Sequence, residues 1–250
     1  MKGSMHHFFI DIGNSFIKAA AFTGNQWKLV FRSKIDKESG FYSWLSNQKN
    51  EKIVVCSVLK RITQEIVHRV PESRLEILNR KKIPESLFDY QSADSLGMDR
   101  FFSCYGAWKS SEEAVVVIDA GSACTIDYMN EDSVFGGGII MPGHRLLLRS
   151  VSADLPELPN PDGRLPDTWP GKSTNDCLRW GTTGVFIMSI TGFLEKYRRT
   201  YGDFGLYITG GDAEILKNHV DDYPVQIKPF LIFEGMKAFY EKYLEGDFSG

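Results

Sequence analysis

The chain has 250 residues, of which 42% are hydrophobic and 24% charged, with a net charge of −3. That balance suits one large or two small globular domains and excludes a broad basic face for nucleic acid; no apolar run reaches membrane-spanning length. The four cysteines, Cys56, Cys104, Cys124 and Cys177, show no Cys-x-x-Cys pair and no metal-ligand spacing, and no secretory leader pattern is legible, so the expectation is a cytoplasmic protein with reduced thiols.

Residues 1–4 read as an addition ahead of a native start at Met5, and His6-His7 as incidental rather than a metal site. Residues 8–11 form the first strand, followed by a turn at Gly13-Asn14. Residues 16–22 and 27–33 continue a meander around a turn at 23–25. A short helix over 40–48 places Phe41, Trp44 and Leu45 inward. The run KIVVCS (52–57) is a buried strand. Leu59, Ile62, Ile66, Val67 and Val70 then recur at helical spacing up to Pro71, and 75–78 is a further strand. Strands one to three followed by strand–helix–strand is the order of a ribonuclease-H-like unit.

Residues 84–103 are a polar loop followed by a helix, with Asp94 or Ser95 as the candidate cap. Gly97-Met98-Asp99-Arg100 stands at its start. The run AVVVI (114–118) is a buried strand ending in Asp119-Ala120-Gly121-Ser122, after which alternation resumes through Cys124, Ile126 and Tyr128. A buried strand opening into small residues brings backbone N–H groups close to a ligand, and Gly121 permits the tight turn. The same pattern stands earlier as FFIDIGNSFIKAAAF around Asp11. The repetition at domain spacing predicts two copies of one α/β unit, residues 1–108 and 109–250.

Gly136-Gly137-Gly138 and residues 139–143 make a strand bracketed by glycines. Three glycines in a strand weaken it unless another backbone or a ligand comes close. Residues 144–153 are a helix, and 154–176 a Pro-rich connector. Its Gly171-Lys172-Ser173-Thr174 lacks the spacing of a P-loop. A long helix over 184–201 turns Val185, Ile187, Met188, Ile190, Thr191, Leu194 and Tyr197 inward. A strand at 206–209 ends in Gly210-Gly211-Asp212, a turn able to cradle a nucleotide, and a helix starts at Ala213. The last helix, 232–244, carries aromatics suited to a core or a dimer surface.

Two Asp-containing Gly turns at equivalent points of two like units predict one cleft with Asp11, Asp99 and Asp119 around it. Phosphoryl transfer requires Mg²⁺, neutralised phosphates and an acceptor hydroxyl in line. Asp11 can organise Mg²⁺ through water, Lys18 can reach phosphate oxygens, and Asp99 is the candidate base.

The ordered set Asp11-Ile12-Gly13-Asn14-Ser15-Phe16-Ile17-Lys18, Gly97–Arg100, Asp119–Asp127, Phe135–Gly143 and Thr209–Asp212 resembles the motifs of type III pantothenate kinases across nearly the whole chain. The resemblance implies an α/β fold of two ribonuclease-H-like, actin-like ATPase units with mixed sheets flanked by helices. It implies ATP-dependent phosphorylation of pantothenate, the first step of coenzyme A synthesis. It also implies a homodimer with the substrate pocket near the subunit boundary, and dependence on K⁺ or NH₄⁺. Carried onto this sequence, Asp11 to Lys18 and Ser122 contact ATP, and Asp99 is the general base. Tyr90, Gly97, Met98, Asp99, Arg100 and Thr174 bind pantothenate, and Asp119 holds K⁺. Arg100, a permanently charged donor, suits an anionic substrate. Met98 stands where Ala or Val is commoner, Ser122 replaces Thr but keeps the hydroxyl, and Cys124 is unusual. A non-catalytic, kinase-like transcriptional regulator would not need both Asp11 and Asp99. A sugar or acetate kinase would not need Gly-x-Asp-Arg, and a scaffold would leave the paired Asp-Gly turns unexplained.

Overall fold

The computed structural model describes residues 7–245; the reading of residues 1–4 lies outside them. The described residues divide into two compact units. One takes the chain up to Glu112, with Ser133–Gly136 and the segment from Phe230 onward; the other takes Glu113–Asp132 and Gly137–Pro229.

The first unit is built on a mixed sheet of β1 (His7–Ile12), β2 (Phe16–Thr23), β3 (Gln26–Lys34), β4 (Lys52–Ser57) and β5 (Leu75–Ile77), in the order β3-β2-β1-β4-β5. β1, β2 and β3 form an antiparallel meander, while β4 runs parallel to β1 and β5 parallel to β4. The β2–β3 turn places Gly24 and Asn25 at φ of 58° and 63°, the left-handed pair that matches the twist of a two-residue hairpin. Helices α1 (Glu38–Ser46) and α2 (Lys60–Arg69) cover this sheet through Phe41, Leu45, Ile62 and Ile66, which meet Ile10 and Val55. Helix α3 (Met98–Ser111) packs on the last helix, α8 (Leu231–Tyr243), with Phe239 edge-on to Phe101, Phe102 and Tyr105. The two helices approach through glycines: a Cβ on Gly106 would stand 2.5 Å from the Leu231 carbonyl oxygen and 2.8 Å from the Gly235 nitrogen.

The second unit repeats the plan. Strands β6 (Val115–Ala120), β7 (Ala123–Met129), β8 (Phe135–Pro142), β9 (Gly205–Thr209) and β10 (Val225–Ile227) lie in the order β10-β9-β6-β7-β8. β6 pairs antiparallel with β7 and parallel with β9, and β10 runs parallel to β9. Read outward from β6, this is the topology found outward from β1, so the duplication legible around the two aspartates is a duplication of architecture. Helices α4 (His144–Asp154), α5 (Thr174–Arg179), α6 (Val185–Tyr201) and α7 (Ala213–Lys217) complete the unit. Its core gathers Ile118, Ile126, Phe186, Ile190, Leu194 and Ile208.

Several elements differ from the sequence expectation. Gly97, not Asp94 or Ser95, occupies the N-cap of α3, without a side-chain bond; Ala93–Ser95 is a separate 3-10 turn. Val185 and Met188 are exposed, at 47% and 60%, because Phe186, Ile190 and Leu194 already set the inward stripe and these two residues face away from it. Val67 lies about a third of a turn off the stripe of Ile62 and Ile66 and is exposed as well. Helix α5 interrupts the connector: the Ser173 hydroxyl accepts from the Asp176 N–H at 3.2 Å, a Ser-x-x-Asp cap that the sequence carries in plain form. A π-helical turn, Trp180–Gly184, joins α5 to α6. By contrast, strand β8 runs through the glycine triplet as the sequence reading expects, and Gly138 lies so close on Ile126 and Asp127 that a Cβ there would overlap them. The final helix packs in the first unit, so a second unit running unbroken over 109–250 does not describe its position.

Candidate functional site

In the first unit the chemistry gathers at the carboxyl ends of β1 and β4. Asp11 and Lys18 are direct cross-strand partners, and Asp11 is also level with Cys56 on β4. The Lys18 ammonium lies 3.7 Å from an Asp11 carboxylate oxygen, with Asp11 buried and Lys18 half-buried. Gly13 closes the turn by donating its N–H to the Phe16 carbonyl at 3.1 Å. Ile12 and Ile17 are wholly buried in the core, so only their backbones face the turn, whereas Asn14 is exposed and Ser15 and Phe16 are half-exposed.

Asp99 sits in the first turn of α3, where its Oδ1 accepts from the Arg100 N–H at 3.0 Å. Burial pushes its carboxyl above the ordinary value, opposed by that hydrogen bond and by the charges of Arg100 and Lys18. The fully buried Cys56 thiol is pushed well up by desolvation and then by the charges of Asp99 and Asp11. These mutual effects bring Asp11, Lys18, Cys56 and Asp99 into one electrostatic neighbourhood. Gly97 leaves room for the carboxylate: a Cβ there would stand 2.5 Å from Asp99 Oδ1.

Tyr90 and Arg100 meet on Phe135. The Tyr90 ring is edge-on to Phe135 at 5.8 Å and the Arg100 guanidinium carbon stands 5.7 Å from the same ring. Phe135 is held in this unit by its carbonyl, which accepts from the Asp89 N–H at 3.0 Å. Arg100 and Met98 are buried. Tyr90 and Arg100 thus share Phe135, while Asp99, beside Arg100, acts electrostatically with Lys18 and on the Cys56 thiol level with Asp11. Sequence reasoning gave Phe135 no role, although an aromatic directly before three glycines marks it.

In the second unit three turns converge at the carboxyl ends of the parallel strands β6 and β9. The Asp212 N–H donates to the Ala120 carbonyl at 3.0 Å, and the Gly143 N–H to the Ser122 carbonyl at 3.1 Å. Gly210, at φ 94°, lies where a Cβ would come within 2.6 Å of Asp119 Oδ1, so only glycine fits. Asp119 is half-buried and Ser122 exposed. The Cys124 thiol is pushed up to about 12, first by burial and then by the charges of Asp119, Asp127 and Asp212. The Arg145 side chain, unremarked in the sequence, pairs with Asp212, Nε to Oδ1 at 3.0 Å. Thr174 is exposed at the start of α5.

Among the described residues no group of three or more His, Cys, Asp or Glu is arranged to hold a metal ion, and no helix is long and apolar enough to cross a membrane.

A family model described as type III pantothenate kinase matches residues 7–196. A type III pantothenate kinase of Flavobacterium johnsoniae is 28% identical, over 95% of this chain and 98% of its own. One from Phocaeicola vulgatus is 27% identical, over 82% and 86%. Among solved structures, a Campylobacter jejuni protein assigned to the Baf family of transcriptional activators superposes with a TM-score of 0.59 at 26% identity, covering 94% of this chain and 97% of that one. MreB5 of Spiroplasma citri bound to ADP gives a TM-score of 0.55 at 11% identity with 99% of both chains covered, a likeness of fold that makes this an actin-like ATPase architecture. The match of motifs, doubled sheet topology and family model together place this chain in the type III pantothenate kinase family.

Proposed function

We propose that the protein transfers the γ-phosphoryl group of ATP to the primary hydroxyl of pantothenate, giving 4′-phosphopantothenate and ADP, the first step of coenzyme A synthesis. Family membership carries this reading: the protein is a kinase. The observation supporting catalysis is Asp99, a carboxylate raised by burial, fixed by the Arg100 N–H, and kept clear by Gly97. Asp99 takes the hydroxyl proton while that oxygen forms its bond to the γ-phosphorus and the bond from the γ-phosphorus to the ADP oxygen breaks. By the family resemblance, Asp11 to Lys18 in the first unit and Ser122 in the second are assigned to ATP, with Lys18 toward phosphate charge; Tyr90, Gly97, Met98 and Arg100 in the first unit and Thr174 in the second are assigned to pantothenate.

A divalent cation, Mg²⁺, supplies charge neutralisation on the phosphates when bound. The buried carboxylate of Asp11 suits an ion that keeps its waters and leans on substrate phosphates. Asp119 is the residue that would hold K⁺ or NH₄⁺. The reading of a cytoplasmic setting rests on the cysteine spacing in the sequence, which has no Cys-x-x-Cys pair. A homodimer is supported by the apolar pocket of about 300 Å³ lined by Leu165, Trp169, Trp180, Ile187 and Met188, beside exposed Val185. Sedimentation at the mass of a single chain would overturn the dimer.

The deciding experiment incubates the purified protein with ATP, Mg²⁺, K⁺ and pantothenate and identifies the product by mass. Stoichiometric 4′-phosphopantothenate and ADP are expected. ATP turnover without that product, or no turnover, rejects the reading and returns weight to the regulatory role suggested by the Campylobacter relative's assignment.

A further inference from the structure

Arg145 belongs to none of the roles above, yet it is held more firmly than an exposed arginine needs to be. Its side chain is 71% exposed, while its partner Asp212 is only 7% exposed, with Nη2 at 2.9 Å and Nε at 3.0 Å from the same carboxylate oxygen. The two residues just before it are anchored. Gly143 is tied to Ser122, and His144 Nε2 meets the buried Thr183 hydroxyl at 2.9 Å. The guanidinium lies over the Gly210-Gly211 turn, where a Cβ on Gly211 would be 3.7 Å from Nη2.

We propose that Arg145 seats the nucleobase of the donor nucleotide, its planar face acting as a stacking platform beside the bare Gly210-Gly211 backbone. The inference rests on the kinase reading for the identity of the donor. Three observations favour a base over a phosphate. The charge of Arg145 is already matched by Asp212, so what it offers outward is a plane. The carboxylates of Asp119 and Asp212 both stand at the Gly210-Gly211 turn, surroundings that suit a neutral ring better than a polyphosphate. The platform lies at the carboxyl ends of parallel strands, where α/β sheets bind ligands. An arginine immobilised before binding also loses little freedom when a ring settles on it.

The test uses the full chain with Arg145→Ala and Arg145→Lys, following competition with a fluorescent ATP analogue, steady-state kinetics, and binding of inorganic tripolyphosphate, which has no base. Both variants are expected to weaken ATP about 10-fold in Kd and KM, the usual scale for loss of one stacking contact. In both, kcat, KM for pantothenate and tripolyphosphate affinity stay near wild type. Unchanged ATP affinity in Arg145→Ala overturns the proposal. So does full rescue by lysine, or a parallel loss of tripolyphosphate binding, since either assigns Arg145 to charge rather than to the base. If wild type binds ATP but does not phosphorylate pantothenate, the kinase reading fails while a 10-fold loss in the variants sustains the platform. If wild type binds no ATP, both fall.

Discussion

Asp99 is the residue at which burial and chemistry pull together. Desolvation raises its carboxyl, which improves it as a base at the cost of folding free energy when it is ionised. Its sign follows from linkage: the folded form holds the proton more tightly than the unfolded one, so the favourable contribution is complete below the unfolded value and lost as pH rises through the folded one. Asp99→Asn should therefore lower kcat by roughly 10²–10⁴-fold. It should also become progressively more heat-stable than wild type as pH climbs from acid to neutral. Paired melting curves across that range, with a constant gap, would remove the buried carboxylate from the account. Gly97→Ala tests the same geometry from the side. The atom it would meet is a side-chain oxygen of Asp99 rather than backbone, so the fold should tolerate it while kcat drops at least about 10-fold, the order expected for a misplaced base. Wild-type turnover would show that the carboxylate position is not critical. The sequence exposed Asp99 and Arg100 by their motif, but could not show that Phe135 joins Tyr90 and Arg100, because that contact depends on residues far apart in the chain.

Among the elements, the α3–α8 pair is the least forgiving. Gly235 abuts the Phe102 carbonyl and the Gly106 nitrogen so closely that neither backbone can yield. Gly235→Ala should cost roughly 2–3 kcal/mol or more, the scale of overpacking a tight interior. Gly192, inside α6 with open space around it, is the counterpart: Gly192→Ala should add about 0.5–1 kcal/mol by stiffening the helix. Chemical denaturation of both variants checks the contrast, and equal effects would refute the packing argument. The strands β1 to β9 were mostly legible because buried apolar runs and glycine punctuation coincide. The short β10 was not, since Val225–Ile227 is too brief for alternation to register. Helical faces were read too broadly wherever an apolar residue, such as Val185 or Met188, stood next to the true stripe.

For the molecule as a whole, the doubled topology makes Asp11 and Asp119 counterparts at the ends of β1 and β6. Only the first faces a lysine across the hairpin; Asp119 pairs in register with Thr125. The proposed division of labour, phosphate at the first and a monovalent cation at the second, rests on the family resemblance and is compatible with that difference. Replacing K⁺ by Na⁺ should reduce the rate several-fold, and Asp119→Asn should erase the distinction between the two salts. Equal wild-type rates in both salts would discard the cation role. The duplication itself was visible as two similar strand–turn segments, whereas the return of the final helix to the first unit left no local trace in the sequence.

That return has a bearing on biosynthesis. Because α8 follows every residue of the second unit in chain order yet packs on α3, the half begun first on the ribosome is completed last. Its aromatic surface around Phe101, Phe102 and Tyr105 must wait, uncovered, until translation has passed through the whole of the other half. A nascent chain arrested near Pro229 should accordingly present a folded later half and a chaperone-binding earlier one.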